Sequence, residues 1–201
     1  MPAISAYKDV IVEPRYDTVV YPAAGTNLLT FFALPRGQGG TAFQTNTATP
    51  LGIPKNSSDT NMDLAGQLPG GYWFNLQGFR VMPSWDITDN DIKNLFNGAV
   101  FTFIVASKPF LTVPCRTIPQ GNGPSGSGSS INSNGYPVLS NGYSIRLKPL
   151  ELEPTVNFQV TLTWPSGQLL PSTTANAAVG SHMNGVPLTV FLDGFLYRPV
   201  Q

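Results

Sequence analysis

The chain has 201 residues, in which eleven Lys and Arg balance eleven Asp and Glu, with one histidine and one cysteine among 20 glycines and 19 prolines. At 11% charged residues it carries about half of the roughly 25% usual in soluble domains, and the balance leaves no net field to recruit nucleic acid or an anionic membrane. One His and one Cys exclude the usual zinc ligand sets and an internal disulfide, and they leave little of the clustered chemistry that hydrolytic and redox enzymes use.

Met1–Asp9 lacks the apolar core of a secretory signal, and Met1–Asp17 reads as an extended N-terminal arm, with one domain following over Thr18–Gln201. No run approaches the roughly 20 apolar residues needed to span a bilayer, so the sequence predicts a chain soluble as made. Thr18–Tyr21 is a weak strand candidate. Leu28–Leu34 is apolar on both faces, which predicts a central strand or one whose second face is covered. Arg36–Gly71 is a long loop with one weak strand candidate at Thr41–Thr45; loops beyond about 15 residues are usually functional or disordered. The sequon at Asn56-Ser57-Ser58 carries no weight without a secretory context.

Tyr72–Met82 alternates through Phe74 and Leu76, then shifts phase to Phe79 and Val81, and a bulge at Gly78 restores the apolar face. A short helix is predicted over Asp89–Asn97: Thr88 or Asp89 caps it, Gly98 ends it, and its dipole accounts for Asp86, Asp89 and Asp91. Trp85, just after Pro83, reads as its packing anchor. Ala99–Ala106 is apolar on both faces, Pro109–Val113 is a weaker strand, and Cys115 reads as a partly buried thiol. Gln120–Gly135 is a Gly/Ser-rich connection.

Tyr143–Lys148 and Thr155–Trp164 alternate without a break, so Tyr143, Ile145 and Leu147, then Val156, Phe158, Val160, Leu162 and Trp164, face a core. Pro149 and Pro154 frame Glu151 and Glu153 as a loop between these strands. His182 lies in a turn-rich stretch, and Val186–Tyr197 forms a final strand bent at Asp193-Gly194. Prolines 35, 83, 109, 149, 165 and 199 fall at segment ends, where a missing amide donor does least harm. The sum is an all-β sandwich or barrel of about eight antiparallel strands, with long loops and one short helix.

Candidate chemistry is thin. Glu151 and Glu153 share a face of an extended segment and are the pair that glycoside hydrolysis would need. Asp89-Asn-Asp91 opens like a calcium loop but meets Lys93 at the next alternate position, with no glycine or closing glutamate at loop spacing. Tyr72 and Trp73, after Gly70-Gly71, are candidates for an aromatic binding platform, against the plainer reading of packing in a sheet face or between subunits. The expectation is no catalytic, cofactor-binding or metal-binding residue.

Asp59–Pro69 followed by Tyr72–Val81 resembles segments in coat proteins of tailless icosahedral bacteriophages, and the pattern of elements from Tyr21 to Pro199 is similar to the single-barrel coat proteins of internal-membrane, sphaerolipovirus-type phages. The resemblance implies a single jelly roll, a viral capsid shell assembled in the host cytoplasm from copies of this chain and other coat proteins, and an internal viral membrane enclosing DNA. It implies no enzyme activity, no cofactor and no sequence-specific nucleic-acid contact. Low charge with many Asn, Thr, Ser, Gln and aromatic residues suits such contacts, with Met1–Asp17, Arg36–Gly71 and Tyr197–Gln201 as the expected contact elements. A carbohydrate-binding or phage receptor-binding spike module, and a glycosidase on the same fold, stand as alternatives, because fold does not choose among them.

Overall fold

The computed structural model describes residues 9–22, 25–39, 54–83, 95–118, 150–168 and 185–199. Among these residues nine strands form two antiparallel sheets. In chain order they are β1 (Asp9–Val12), β2 (Arg15–Pro22), β3 (Thr26–Phe31), β4 (Trp73–Pro83), β5 (Val100–Val105), β6 (Lys108–Pro114), β7 (Leu150–Leu152), β8 (Phe158–Gln168) and β9 (Gly185–Arg198). The first sheet has the order β1-β9-β4-β7, with β2 also paired to β9; the second has the order β3-β8-β5-β6.

The pairings are nested. β2 lies against β9, β3 against β8, β4 against β7 and β5 against β6, as though one long hairpin had been laid down from its tip. Two further pairings, β4 with β9 and β5 with β8, join these pairs sideways into the two sheets.

Strand alternation builds the core. On β8, Phe158, Val160, Leu162 and Trp164 are buried, as the period-two pattern predicts. From the first sheet come Phe74, Leu76, Phe79 and Val81 of β4 and Leu188, Val190, Leu192 and Leu196 of β9, all in the same buried cluster. Phe79 crosses between the sheets, its ring centroid 5.2 Å from Phe101 and 5.0 Å from Phe103 on β5. Each such ring contributes roughly 1.5–3 kcal/mol by leaving water. At one end Trp164 packs edge-on against Tyr21 and donates its indole N–H to the Leu95 carbonyl at 2.9 Å, so a polar atom carried into the core is satisfied.

The phase shift in β4 is a bulge. Leu76 pairs with Gly194 and Gly78 with Asp193, leaving Gln77 as the extra residue. The bulge and Gly194 belong together: a Cβ on Gly194 would lie 2.1 Å from the Asn75 carbonyl oxygen, so only glycine lets the two backbones approach here.

Elsewhere the structure departs from the sequence pattern. Asp9–Asp17, assigned to the arm, runs in β1 and β2 along β9, so the boundary expected at Asp17 falls inside β2. Thr155 is not in a strand: its φ is 66°, and β8 begins at Phe158. Among the described strands Leu28–Leu34 is not central: β3 ends the order β3-β8-β5-β6 and stops at Phe31, and Leu28 and Leu34 are exposed. Pro165 lies inside β8, not at its end, where the register against β3 shifts between Thr26 and Leu28 and no ladder donor is required. Leu150–Leu152, expected as loop, pairs with β4.

Of the predicted helix, 95–98 is described and helical, with Leu95 and Phe96 buried. Its start, with Trp85, Asp86, Asp89 and Asp91, lies outside the described residues, as do Thr41–Thr45, the Gly/Ser tract, Tyr143–Lys148 and His182.

Candidate functional site

Side chains alternate across the first sheet, so burial of Ile11, Phe74, Leu192 and Leu196 on its inner side fixes what points outward. Three outward rows follow from the register. Val10, Tyr197 and Trp73 form one, Val12, Phe195 and Asn75 the next, and Tyr16, Phe191 and Arg80 a third. Val12 is 80% exposed, Val10 48% and Phe195 38%. A solvated sheet face ordinarily carries polar residues at these positions, and seven of the nine here are aliphatic or aromatic, the exceptions being Asn75 and Arg80.

The cations on this face are paired. Arg80 donates to both Asp193 carboxylate oxygens, at 2.7 and 2.8 Å, and its guanidinium lies 4.5 Å from the Phe191 ring centroid. Arg198 donates to Asp9 at 2.6 Å. The cations of β4 and β9 are thus each paired within the sheet, while Glu151, which continues the second row beyond Asn75, places an exposed carboxylate on it.

Tyr72 and Trp73 do not make a joint platform. Neighbouring residues of an extended chain point to opposite sides; Tyr72 packs against the core cluster, while Trp73 belongs to the outer rows beside Tyr197. Each is half-buried. The outer rows lay hidden in the sequence because Val10 and Val12 come from one end of the chain and Phe195 and Tyr197 from the other. The unbroken apolar run Val10-Ile11-Val12, which puts apolar side chains on both faces of β1, is the signal that was there to be read.

The long loop behaves differently from the expected contact element. Of its described residues, 36–39 and 54–71, the second stretch is sewn onto the sandwich: Thr18 N–H donates to the Asp59 carbonyl at 2.8 Å, Phe158 N–H to the Gly66 carbonyl at 2.7 Å, and Met62 and Leu68 enter the core. The strongest tie is ionic. Asp17 points inward from β2, and its carboxylate accepts from Lys55 Nζ and from Phe32 N–H, each at 2.7 Å. Burial pushes the Asp17 carboxyl above the usual range, opposed by the Lys55 charge and by hydrogen bonds from Lys55, Phe32 and Thr60. Nearby, burial lowers the Arg15 guanidinium, against the opposite pull of Glu13. These charges are fastenings between segments far apart in the chain.

Glu151 is exposed on β7 opposite Asn75, and Glu153 is exposed just beyond the strand. Cys115 is enclosed at the start of a 3-10 turn, Cys115–Thr117, and desolvation pushes its thiol up to about 12. Among the described residues no group of three or more His, Cys, Asp or Glu is placed to hold a metal ion, and no helix is long and apolar enough to cross a membrane.

Comparison with family models, with curated proteins and with solved structures returns no match.

Proposed function

We propose that this chain is a viral coat protein, a single jelly roll whose work is to assemble with copies of itself and with other coat proteins into a shell. The outer face of the first sheet carries the reading: three rows in which exposed Val10, Val12 and Phe195 stand with Tyr16, Trp73, Phe191 and Tyr197, on a chain with unusually little charge. The nested pairing order supports the jelly roll, since two sheets of four strand positions built from one folded hairpin are its defining arrangement.

Prolines remove donors at some strand edges: Pro22 ends β2, and Pro109 and Pro114 sit in β6. In this reading the protein is not an enzyme, and its place is the virion.

The test is the assembly state. Wild-type protein should form particles visible by negative-stain microscopy and light scattering, while Val12→Lys combined with Phe195→Lys should remain folded, with an unchanged cooperative melt, and fail to form them. A wild type that stays monomeric with and without its co-expressed coat partners, or a double variant that assembles normally, would overturn the proposal.

A further inference from the structure

The second sheet ends in a feature that assembly does not need. Where β3 stops, β5 turns into β6 and β8 begins, an open cleft of about 260 Å³ is lined by Ala33, Ala65, Ile104, Ser107, Asn157 and Gln159. Phe32, Gly66 and Phe158 complete the wall.

Two properties single it out. The first is strain. The non-glycine residues with positive φ among the described residues are Phe32, Ala106, Ser107 and Thr155, and every one lies on this wall or within two residues of it. Ala106 and Ser107, at φ 46° and 69°, are the two-residue turn between β5 and β6, positions at which Asn-Gly would be far more comfortable. Such conformations cost on the order of 1–3 kcal/mol each and cluster where a site must be held in shape. The second is preorganisation. Asn157 accepts from Ala106 N–H through its carbonyl at 2.8 Å, and its side-chain oxygen accepts from Gln67, so one residue ties the turn to the 64–67 segment.

The lining sets the ligand class. It offers two carboxamides, a hydroxyl and backbone groups, beside the methyl groups of two alanines and the side of Ile104, with no charged side chain. A phosphate or carboxylate would find no cation there. A nucleobase would find no open ring to stack on, since Phe32 and Phe158 are buried. Hydroxyl groups that both donate and accept, on a ring with an aliphatic face, match what is present, and the volume suits one ring. We infer that this cleft binds a single residue of a neutral saccharide, a surface-recognition site separate from the assembly face.

Saturation-transfer NMR tests this with methyl glucoside, methyl mannoside, methyl galactoside and N-acetylglucosamine as probes, and anionic N-acetylneuraminate as the control; the method reads monomer and particle alike. At least one neutral sugar should give a signal with Kd of about 1 mM, the range expected of one ring held by a few hydrogen bonds. Asn157→Ala should weaken it at least roughly tenfold. Ser107→Gly should also weaken it while raising the thermal midpoint, because it removes a ligand contact and relieves the turn at once. Trp73→Leu should leave it unchanged. No signal from any neutral sugar up to about 50 mM, a signal that survives Asn157→Ala in folded protein, one lost with Trp73→Leu, or equal binding of N-acetylneuraminate would each overturn the inference.

Discussion

Lys55 Nζ donates to Asp17 Oδ1 at 2.7 Å with both side chains almost wholly enclosed, joining a loop residue to β2 across 38 positions of chain. A buried ion pair of this kind adds little over a well-packed apolar pair, because desolvation consumes most of the attraction. Removing one partner is another matter.

Lys55→Met should therefore cost about 3–5 kcal/mol, since it strands a carboxylate that still holds Phe32 N–H, whereas Asp17→Leu with Lys55→Met should cost less than that single change. Guanidinium melts at neutral pH measure both. A Lys55→Met loss below about 1 kcal/mol would place the pair in the solvated, surface class.

The Asp17 tie was illegible in the sequence for a physical reason: nothing local distinguishes a charged residue whose partner is reached only after the chain has folded. The same holds for β3. Its apolar pattern reports which side chains are sheltered, and it carries no information on how many strands lie beside it. Leu150–Leu152 escaped because the four residues between Pro149 and Pro154 give too short a run for a period to show. What could be read was the long alternation of β8 and β4, including the phase change that marks Gln77 and Gly78 as a bulge, because there one strand holds the whole signal. The outer rows of the first sheet mix both cases, since residues 10 and 12 become neighbours of 195 and 197 only through the β1–β9 register.

The alternation itself makes a sharp contrast on β8. Phe158 is buried against Phe32, ring centroids 5.6 Å apart, while Thr161 points away from the core opposite Thr30 and Thr102. Phe158→Ala should lose about 3–5 kcal/mol through transfer and cavity terms, and Thr161→Ala less than about 1 kcal/mol. Similar losses at the two positions in urea melts would mean that the faces are misassigned.

Gly194→Ala probes the bulge. The added Cβ would meet the Asn75 carbonyl oxygen at 2.1 Å and the Phe74 ring at 2.9 Å, and the first of these is backbone that cannot swing aside. The expected loss is about 3 kcal/mol, at the upper end for overpacking, as β4 and β9 are forced apart at their register shift. A second change, Gly70→Ala, places a Cβ in open space and should be nearly silent in the same thermal melts. Equal behaviour of the two would show that β4 and β9 do not approach closely at the bulge.

Cys115 gives a prediction in pH. Its thiol is enclosed and its pKa is pushed from an ordinary 9.0 up to about 12 by desolvation. Below pH 9 the thiol is protonated in both folded and unfolded chains and contributes nothing to pH dependence. Between 9 and 12 the unfolded chain loses this proton first, so the unfolded state is favoured by about 1.4 kcal/mol for each pH unit. Tyrosines and lysines titrate in the same window, but their contribution cancels when wild type is compared with Cys115→Ala. The stability advantage of wild type over that variant should therefore shrink as pH rises from 9, reversing in sign if the packing loss is small. Thiolate, not thiol, is the nucleophile, so a disulfide reagent at pH 8 should leave the folded protein untouched and react at once in denaturant. Rapid labelling of the native chain at pH 8, with its melt unchanged, would place Cys115 at a solvent-accessible position and sink the prediction.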